Sequence, residues 1–426
     1  MLGRRQVIGT LGAAGACLAA AGCSSPSSAA PDRLVVAAYP SVDRVARLAG
    51  AAWRTRHPRV ALRVISRQFS DHHTAMMTAL ATGSYLPDVM ALEVGFVGRF
   101  ARGGGLQDLT QPRFGIQAQR AAYTPYAYDQ AREADGAVIA APSDIGPGTM
   151  LVRADVLQRA GVAIDELQPS WDAYLRAGQR VLRRTGARLV PDAADVLDIV
   201  IRAEAPAGDG LYFDAQGRPA LLSARFERAF ALAAQVRRLG LDARLRAWSS
   251  DWASAIRDGS VATLLSGAWL AGHLASWLAP DTRGRWRAAQ LPQGAWVAFG
   301  GTFMAIPRAI PAARQSLAWD FIRLLTLDPT QQLAAFKAVD AFPALVRTYQ
   351  DPFFARPIAF LGGQRARELW RSAALRIRAV AVHPQDAFAA EVVATALFDV
   401  MQERVPIGRA LRRAQSLLER RVGQAA

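Results

Sequence analysis

The chain has 426 residues, of which 51% are apolar and 20% charged, a balance that excludes a disordered or fibrous protein. Its length suggests two or three domains. The formal net charge is +16, but the basic residues are scattered in short clusters and Lys337 is the only lysine, so we expect no nucleic-acid partner.

Residues 1–22 have the layout of a removable export signal. Arg4 and Arg5 form a charged head, an apolar stretch follows, and small residues precede Cys23. This ending resembles a bacterial lipobox, which implies a thioether-linked lipid on Cys23; the alternative is an ordinary secretory signal. The arginine pair also resembles a twin-arginine signal, although Gly3 departs from that pattern, so general secretory and twin-arginine export both stay open.

Residues 23–32 are a tether rich in Ser, Pro and Ala. Such a segment holds a folded body near a membrane without packing against it. We therefore expect an exported protein, attached through its lipid to the outer face of a bacterial membrane. Because the two cysteines are Cys17 and Cys23, the folded body has no thiol for a disulfide, a metal ion or a nucleophile.

Strands and helices alternate in the first part of the body. Strands are predicted at residues 34–39, 60–65 and 87–92, and helices at 42–56, 72–82 and around 96–100. Ser41 is the predicted N-cap of the first of these helices. Alternation of this kind predicts a parallel sheet covered by helices.

The pattern changes at residues 140–148, where two prolines and two glycines predict a loop-rich crossing. Helices are predicted to dominate after it. The predicted helices are 171–184, 223–239 with Ser223 as its cap, and the tail from about 317; the predicted strands are 261–265, 286–291 and 303–306.

The sequence contains no metalloprotease, serine hydrolase, P-loop or dinucleotide-binding motif. Adjacent His72 and His73 point to different faces of a helix, and we interpret them as exposed. We therefore expect no metal ion, no cofactor and no catalysis. Two carboxylates from distant segments could still form a glycosidase site, so a lipid-anchored glycan-processing enzyme stays an alternative.

Short motifs in a fixed order carry a family resemblance. They include the Pro-Asp-Val strand start at 87–89, the Pro-Ser-Trp-Asp turn, and the Gly-Ala-Trp and Gly-Gly-Thr segments, and together they lie at residues 80–89, 106–110, 152–161, 169–172, 256–269, 284–286, 291–292 and 300–302. With them the chain resembles the family-1 extracellular solute-binding proteins, the maltose-binding-like components of ABC importers.

The resemblance implies an α/β, two-lobed fold of the type II periplasmic-binding-protein kind, with three crossings between the lobes. The first lobe would comprise residues 33–141 plus 290–338, and the second 142–289 plus 339–426. A ligand would lie between the lobes, at the carboxyl ends of the strands. The expected partners are a carbohydrate and the permease subunits of the importer, with the protein itself a monomer.

A pyranose has apolar faces that aromatic rings cover and a hydroxyl rim that carboxylates bind. Strand ends and the resemblance, in which Trp269 matches a sugar-stacking tryptophan, nominate nine ligand-binding residues: Tyr39, Ser41, Glu93, Phe96, Asp144, Trp269, Gly300, Gly301 and Phe342. Trp248 and Trp252 lie one helical turn apart and could line the cleft, but we interpret them as a packed helix face. The predicted function is capture of a mono- or oligosaccharide for import; the arginine excess leaves an anionic sugar derivative or sugar phosphate as an alternative.

Overall fold

The computed structural model describes residues 32–101, 104–133 and 135–424. The predicted signal, Cys23 and the tether up to residue 31 lie outside the described residues. Among the helices of those described ranges, none combines the length and apolar character that a bilayer span requires.

Strands of the described residues form one sheet, in the order β2-β1-β3-β7-β4-β5, with β6 and β8 also paired to β4. The strands are β1 Arg33–Ala38, β2 Ala61–Ser66, β3 Val89–Glu93, β4 Ala141–Arg153, β5 Thr263–Gly267, β6 Trp286–Ala289, β7 Ala298–Ala305 and β8 Phe342–Pro343. β1 is parallel to β2 and β3, as predicted, whereas β7 and β4 form antiparallel pairs.

Helices cover the sheet. They are α1 Val42–Leu48, α2 Gly50–Arg56, α3 Phe69–Thr82, α4 Val94–Ala101, α5 Pro125–Gln130, α6 Ala154–Ala160, α7 Trp171–Thr185, α8 Ala193–Ala203, α9 Ala224–Arg238, α10 Ser250–Asp258, α11 Leu270–His273, α12 Ala312–Leu327, α13 Pro329–Val339, α14 Ala366–Ala374, α15 Asp386–Met401 and α16 Ile407–Gly423. The predicted helix at 42–56 divides in two at Ala49, and the predicted helix at 72–82 begins earlier, at Phe69.

Side-chain caps differ from two of the predictions. Ser41 and Ser223 precede helices as predicted, but neither side chain caps its helix, and Ser41 has φ 75°. Ser170 and Ser249 do cap α7 and α10: their Oγ atoms accept backbone N–H bonds of 3.1 and 3.2 Å from Ala173 and Trp252. Ser41 has a left-handed backbone, whereas Ser223 is extended but its Oγ donates a 2.8 Å hydrogen bond to the carbonyl of Ala220 instead.

The predicted loop at 140–148 is wrong, because these residues begin the long strand β4. Its pairing with β7 shifts register between Pro142 and Asp144 and again between Ile145 and Pro147. Prolines are tolerated in a sheet at such irregularities, since no ladder N–H is needed there. The first half of β4 pairs with β7 and β8, and its second half with β5 and β6, so β4 joins two halves of the sheet.

Buried side chains form two clusters that follow this division. One surrounds β1, β3 and β7 and extends over one face of β5 and β6; the other packs α6 to α9, α15 and α16 against the opposite face. Met150 and Val152 belong to the second cluster and Leu151 to the first, because successive strand residues point to opposite faces. Both faces of this half of the sheet are therefore covered.

Candidate ligand-binding cleft

A cavity of about 1240 Å³ lies between the two halves of the sheet. Eight of the nine nominated residues line it: Tyr39, Ser41, Glu93, Phe96, Asp144, Trp269, Gly300 and Gly301. They come from segments up to 262 positions apart in the chain, and strand ends bring them together.

Glu93 and Asp144, with Tyr39 and Thr302, form one surface of this cavity, the acidic floor. In the sheet, Glu93 on β3 and Asp144 on β4 both pair with Thr302 on β7, which lies between them. Paired residues project to the same face, with neighbouring strands about 4.8 Å apart. The Tyr39 hydroxyl and Thr302 Oγ1 are 2.9 Å apart and hydrogen-bonded. Strand register therefore fixes two carboxyl groups on one surface.

Burial dominates the electrostatics of the floor. Burial raises the pKa of Glu93 to about 7. Two effects oppose this rise: the N–H of Gly95 donates a 2.8 Å hydrogen bond to the carboxylate, and the Arg202 cation favours its ionised form. Burial also raises the pKa of Asp144 to about 6, opposed by hydrogen bonds from Thr302. Near neutral pH these carboxyl groups can accept hydrogen bonds when ionised and donate them when protonated, which suits hydroxyl partners.

Behind the floor lie His72 and His73, and the interpretation of both as exposed is wrong. His72 Nε2 lies 2.7 Å from the carbonyl oxygen of Ala91. His73 Nε2 accepts a 3.1 Å hydrogen bond from the backbone N–H of Glu93, and its ring stacks on Phe96 with centroids 4.0 Å apart. The histidines of α3 thus hold the end of β3 and the ring of Phe96 in place.

Trp248, Trp269 and Trp277 also line the cavity, and their rings form a second surface of it, the tryptophan wall. The Trp248 ring centroid lies 6.1 Å from that of Trp269 and 6.4 Å from that of Trp277, with interplanar angles of 18° and 23°. Trp248 and Trp277 are 53% and 59% exposed. The wall offers nearly parallel indole rings, a surface on which the C–H faces of sugar rings can stack.

The interpretation of Trp248 as a packed residue is therefore wrong, whereas Trp252 is buried against it, with centroids 5.0 Å apart. Trp248 has φ 68° and immediately precedes the cap of α10. Trp277 was not nominated; it lies in a π-helical turn, Leu274–Leu278, that continues α11. Hydrophobic periodicity predicts regular helices and strands, and it predicts neither a left-handed residue nor a π-helical turn. For this reason the sequence did not place Trp248 and Trp277 in the cavity.

Glycines let Trp269 lie close to β7. The Trp269 Nε1–H donates a 2.8 Å hydrogen bond to the carbonyl of Phe299. A Cβ on Gly267 would come within 2.3 Å of that nitrogen, and one on Gly300 within 3.1 Å. Gly300 and Gly301 also have φ of 85° and 139°, which L side chains rarely adopt. Their glycine identity thus follows from the placement of Trp269 and from backbone conformation.

Phe342 does not join the other nominated residues, so its expected position in the cleft is corrected. It is 1% exposed and packs on Phe336, Tyr349 and Phe354, with centroids 5.0–5.7 Å apart. As part of β8 it pairs with Ile145 in the first half of β4. Its neighbours in the core exclude contact with a cleft ligand.

Cations also line the cavity, although the sequence did not nominate them. Arg202 projects from the end of α8, and Arg376 and Arg378 follow α14. Arg376 lies over the ring of Trp296, 5.4 Å from its centroid. In a chain rich in arginine, nothing local in the sequence distinguishes these three residues from the others. Only the fold brings them to one cavity.

Comparison with known proteins identifies the family. A family model for bacterial extracellular solute-binding proteins matches residues 51–361. Over 332 residues the chain is 26% identical to the lactose-binding protein of Rhizobium radiobacter, which covers 74% of this chain and 75% of that protein.

Solved structures show the same fold. A family-1 extracellular solute-binding protein superposes with a TM-score of 0.79 at 23% identity, over 90% of this chain and 98% of that one. The ABC transporter associated binding protein of B. animalis subsp. lactis Bl-04, in complex with β-1,6-galactobiose, gives 0.71 at 22% identity, over 91% and 97%. These likenesses confirm the predicted two-lobed α/β fold, and the chain belongs to the bacterial extracellular solute-binding proteins.

Proposed function

We propose that this protein captures a mono- or oligosaccharide between its lobes and delivers it to the permease subunits of an ABC importer. The observation that carries the proposal is that the tryptophan wall and the acidic floor line one cavity. Indole rings match the apolar faces of a pyranose, and carboxyl groups match its hydroxyl rim. The two surfaces together therefore fit a sugar ring, which has apolar faces and a hydroxyl rim.

The size of the cavity supports a ligand of more than one ring. Its volume of about 1240 Å³ exceeds the roughly 300–1,000 Å³ of ordinary small-molecule pockets. The relatives named above bind lactose and β-1,6-galactobiose, both disaccharides. We therefore propose a short oligosaccharide as the ligand class, with lactose and β-1,6-galactobiose as the first candidates to test.

Titration calorimetry against a panel of mono-, di- and trisaccharides tests the assignment. The expected result is saturable binding of one sugar class by wild-type protein, with no change in the sugar. Product analysis after prolonged incubation distinguishes binding from catalysis, because a glycan-processing enzyme would release new sugars. Failure to bind any sugar in the panel would contradict the carbohydrate assignment.

Two rim cations favour an anionic sugar derivative as a second candidate. Arg376 and Arg378 line the cavity, and neither forms an ion pair with a carboxylate among the described residues. Exposed charge pairs are screened by salt. Binding of a uronate disaccharide that weakens strongly between low and high salt, in preference to its neutral analogue, would select this candidate.

The placement outside the cytoplasm follows from family membership, and the anchor is a proposal. We propose that residues 1–22 are removed, that Cys23 carries the lipid, and that residues 23–32 are the tether. Replacing Cys23 with Ala should release the protein from the membrane fraction. Retention of this variant in the membrane would contradict the anchor.

We also propose lobes of residues 33–141 plus 290–338 and of 142–289 plus 339–426. The division of the sheet within β4 supports the first boundary. Two contacts support a third crossing somewhat later than residue 339: the N–H of Thr124 donates to the carbonyl of Ala344 at 2.8 Å, and Phe342–Pro343 pairs with the first half of β4. Limited proteolysis of ligand-free protein should cut at these crossings before it cuts within either lobe.

A further inference from the structure

His273 lies beside the tryptophan wall, and the proposed function does not yet use it. It is the last residue of α11 and lines the cavity. The centroid of its imidazole ring lies 6.0 Å from that of Trp248, 5.5 Å from that of Trp269 and 5.7 Å from that of Trp277. One polar ring therefore lies next to all three indoles of the wall.

Neither nitrogen of the His273 imidazole has a hydrogen-bond partner among the described residues. Nδ1 is buried and unpaired. Nε2 makes no hydrogen bond there either, but it is not enclosed as Nδ1 is. Because His273 lines the cavity, Nε2 is the nitrogen that a ligand in the cavity can reach.

This lack of partners sets His273 apart from the other histidines of the chain. Each of the others has a hydrogen bond or an ion-pair partner: His57, His72, His73 and His383. Polar groups enclosed by protein nearly always have a partner, because an unpaired one costs free energy. An unpaired imidazole at the edge of a cavity therefore indicates a partner that enters through the cavity.

The imidazole plane of His273 is steeply inclined to the wall. Its interplanar angles with Trp248, Trp269 and Trp277 are 60°, 68° and 57°. Since the hydrogen bonds of an imidazole lie in its ring plane, this inclination directs them out of the indole planes. A sugar stacked on an indole has its hydroxyls at the rim, where such a ring can meet one of them.

Indole and imidazole offer different groups to a hydroxyl. An indole N–H only donates, and that of Trp269 is already bonded to the carbonyl of Phe299. Burial lowers the pKa of His273, so its imidazole is neutral near neutral pH and has one donor and one acceptor nitrogen. A sugar hydroxyl both donates and accepts, and it therefore complements Nε2 in either tautomer.

Resting on the proposed function, we propose that His273 is a specificity-determining residue of the cleft. Its Nε2 hydrogen-bonds one hydroxyl of the sugar ring that stacks on the tryptophan wall. Stacking alone accepts any ring with an apolar face, whereas a hydrogen bond to one hydroxyl selects sugars by the position and orientation of that hydroxyl. His273 gives the wall a selectivity that its indoles lack.

The test compares full-length wild type with three variants. His273→Phe keeps an aromatic ring and removes both nitrogens, whereas His273→Gln keeps an amide at about the position of Nε2. His57→Phe is the matched control, because His57 lies outside the cavity and also stacks on a tryptophan, Trp53, with centroids 4.0 Å apart. Calorimetry measures the affinity for lactose, for β-1,6-galactobiose and for the monodeoxy analogues of each. Thermal melting of ligand-free protein measures stability.

The expected result is an affinity about tenfold lower in His273→Phe, a smaller loss in His273→Gln and no loss in His57→Phe. One monodeoxy analogue should bind wild type about tenfold more weakly than its parent sugar, yet bind His273→Phe as tightly as the parent does. The melting temperature of His273→Phe should be no lower than that of wild type, because the substitution removes an unpaired buried nitrogen.

Wild-type affinity in a folded His273→Phe would overturn the proposal. Monodeoxy losses that are the same in wild type and in His273→Phe would also overturn it, as would a loss in His273→Gln as large as that in His273→Phe. In each of these outcomes wild type binds the sugar, so the proposed function stands. Failure of wild type to bind either sugar would contradict the carbohydrate assignment, and with it the role of His273.

Discussion

The acidic floor and the tryptophan wall face the same cavity, yet the floor is made by regular strands and the wall by irregular segments. Glu93, Thr302 and Asp144 sit in register on adjacent strands. Trp248 has a left-handed backbone conformation, and Trp277 lies in a π-helical turn. The floor therefore depends on strand pairing, and the wall depends on local backbone geometry that packing stabilises.

The largest expected effect is on the wall. Replacing Trp269 with Ala should weaken binding of lactose or β-1,6-galactobiose by about 3 kcal/mol, because it removes one of the indole rings that line the cavity. Calorimetry measures the change. Phe398→Ala removes an aromatic side chain that is 57% exposed and lies outside the cavity, so its affinity should match wild type. Wild-type affinity in the Trp269 variant would remove this residue from the binding surface.

A close backbone contact between α4 and the segment before α15 gives the next largest effect. In Gly98→Ala, the new Cβ would lie 2.6 Å from the carbonyl oxygen of His383, so the halves must separate or α4 must shift. We expect affinity to fall by about 1–2 kcal/mol, the order of an overpacked contact. Small-angle scattering with saturating sugar should show a more open particle than wild type.

Gly423→Ala is the matched control for that experiment. Gly423 is also helical, and the space around its Cβ position is open among the described residues. Its scattering and affinity should equal those of wild type. A Gly98 variant that closes as fully as this control would show that the contact does not limit closure.

The floor is expected to respond to pH where the wall does not. Burial raises the pKa of Glu93 to about 7, so its carboxylate is progressively protonated as the pH falls through that value. Sugar affinity should therefore drop about tenfold, or about 1.4 kcal/mol, between pH 8 and pH 5. Glu93→Gln should remove the part of the fall near pH 7 and leave the part that Asp144 contributes near pH 6, and Glu227→Gln, an exposed change on α9, should leave the whole profile intact. Calorimetry from pH 5 to pH 8 measures the sugar affinity of both variants. The same pH dependence of affinity in both would contradict the role of Glu93.

The smallest expected effect is on the free energy of unfolding. It comes from the helix caps, which differ between the serine beside the floor and the serine beside the wall. Ser249 caps the helix that follows Trp248, and its loss in Ser249→Ala should lower the free energy of unfolding by about 1 kcal/mol. Ser41 beside the floor makes no cap hydrogen bond, so Ser41→Ala should change it by less than about 0.5 kcal/mol. Urea denaturation measures both. Equal losses of unfolding free energy in the two variants would mean that the Ser249 cap does not stabilise the helix beside the wall.

Sequence patterns identified the floor because strand ends are visible as apolar runs followed by polar residues. Tyr39 and Glu93 follow such runs, Asp144 lies in the segment predicted as the first crossing, and the family motifs added Trp269. The sequence did not predict Arg202 and Trp277 as cleft residues. They lie on helical segments, where no local pattern distinguishes a residue that lines a cleft from one that is exposed to solvent. His72 and His73 were misplaced for a related reason, since their burial depends on β3 and Phe96, which are distant in the chain.

The sequence by itself determined the α/β class, the family, the alternation of elements around β1 to β3, and the residue types at the ends of those strands. These follow from periodicity and from short-range motifs, which are local properties of the chain. Only the tertiary structure decided that residues 141–153 form one strand, that Phe342 is buried, and that Trp248, Trp277 and Arg202 share a cavity with Glu93. Those outcomes depend on contacts between distant segments, whose energies no local pattern contains.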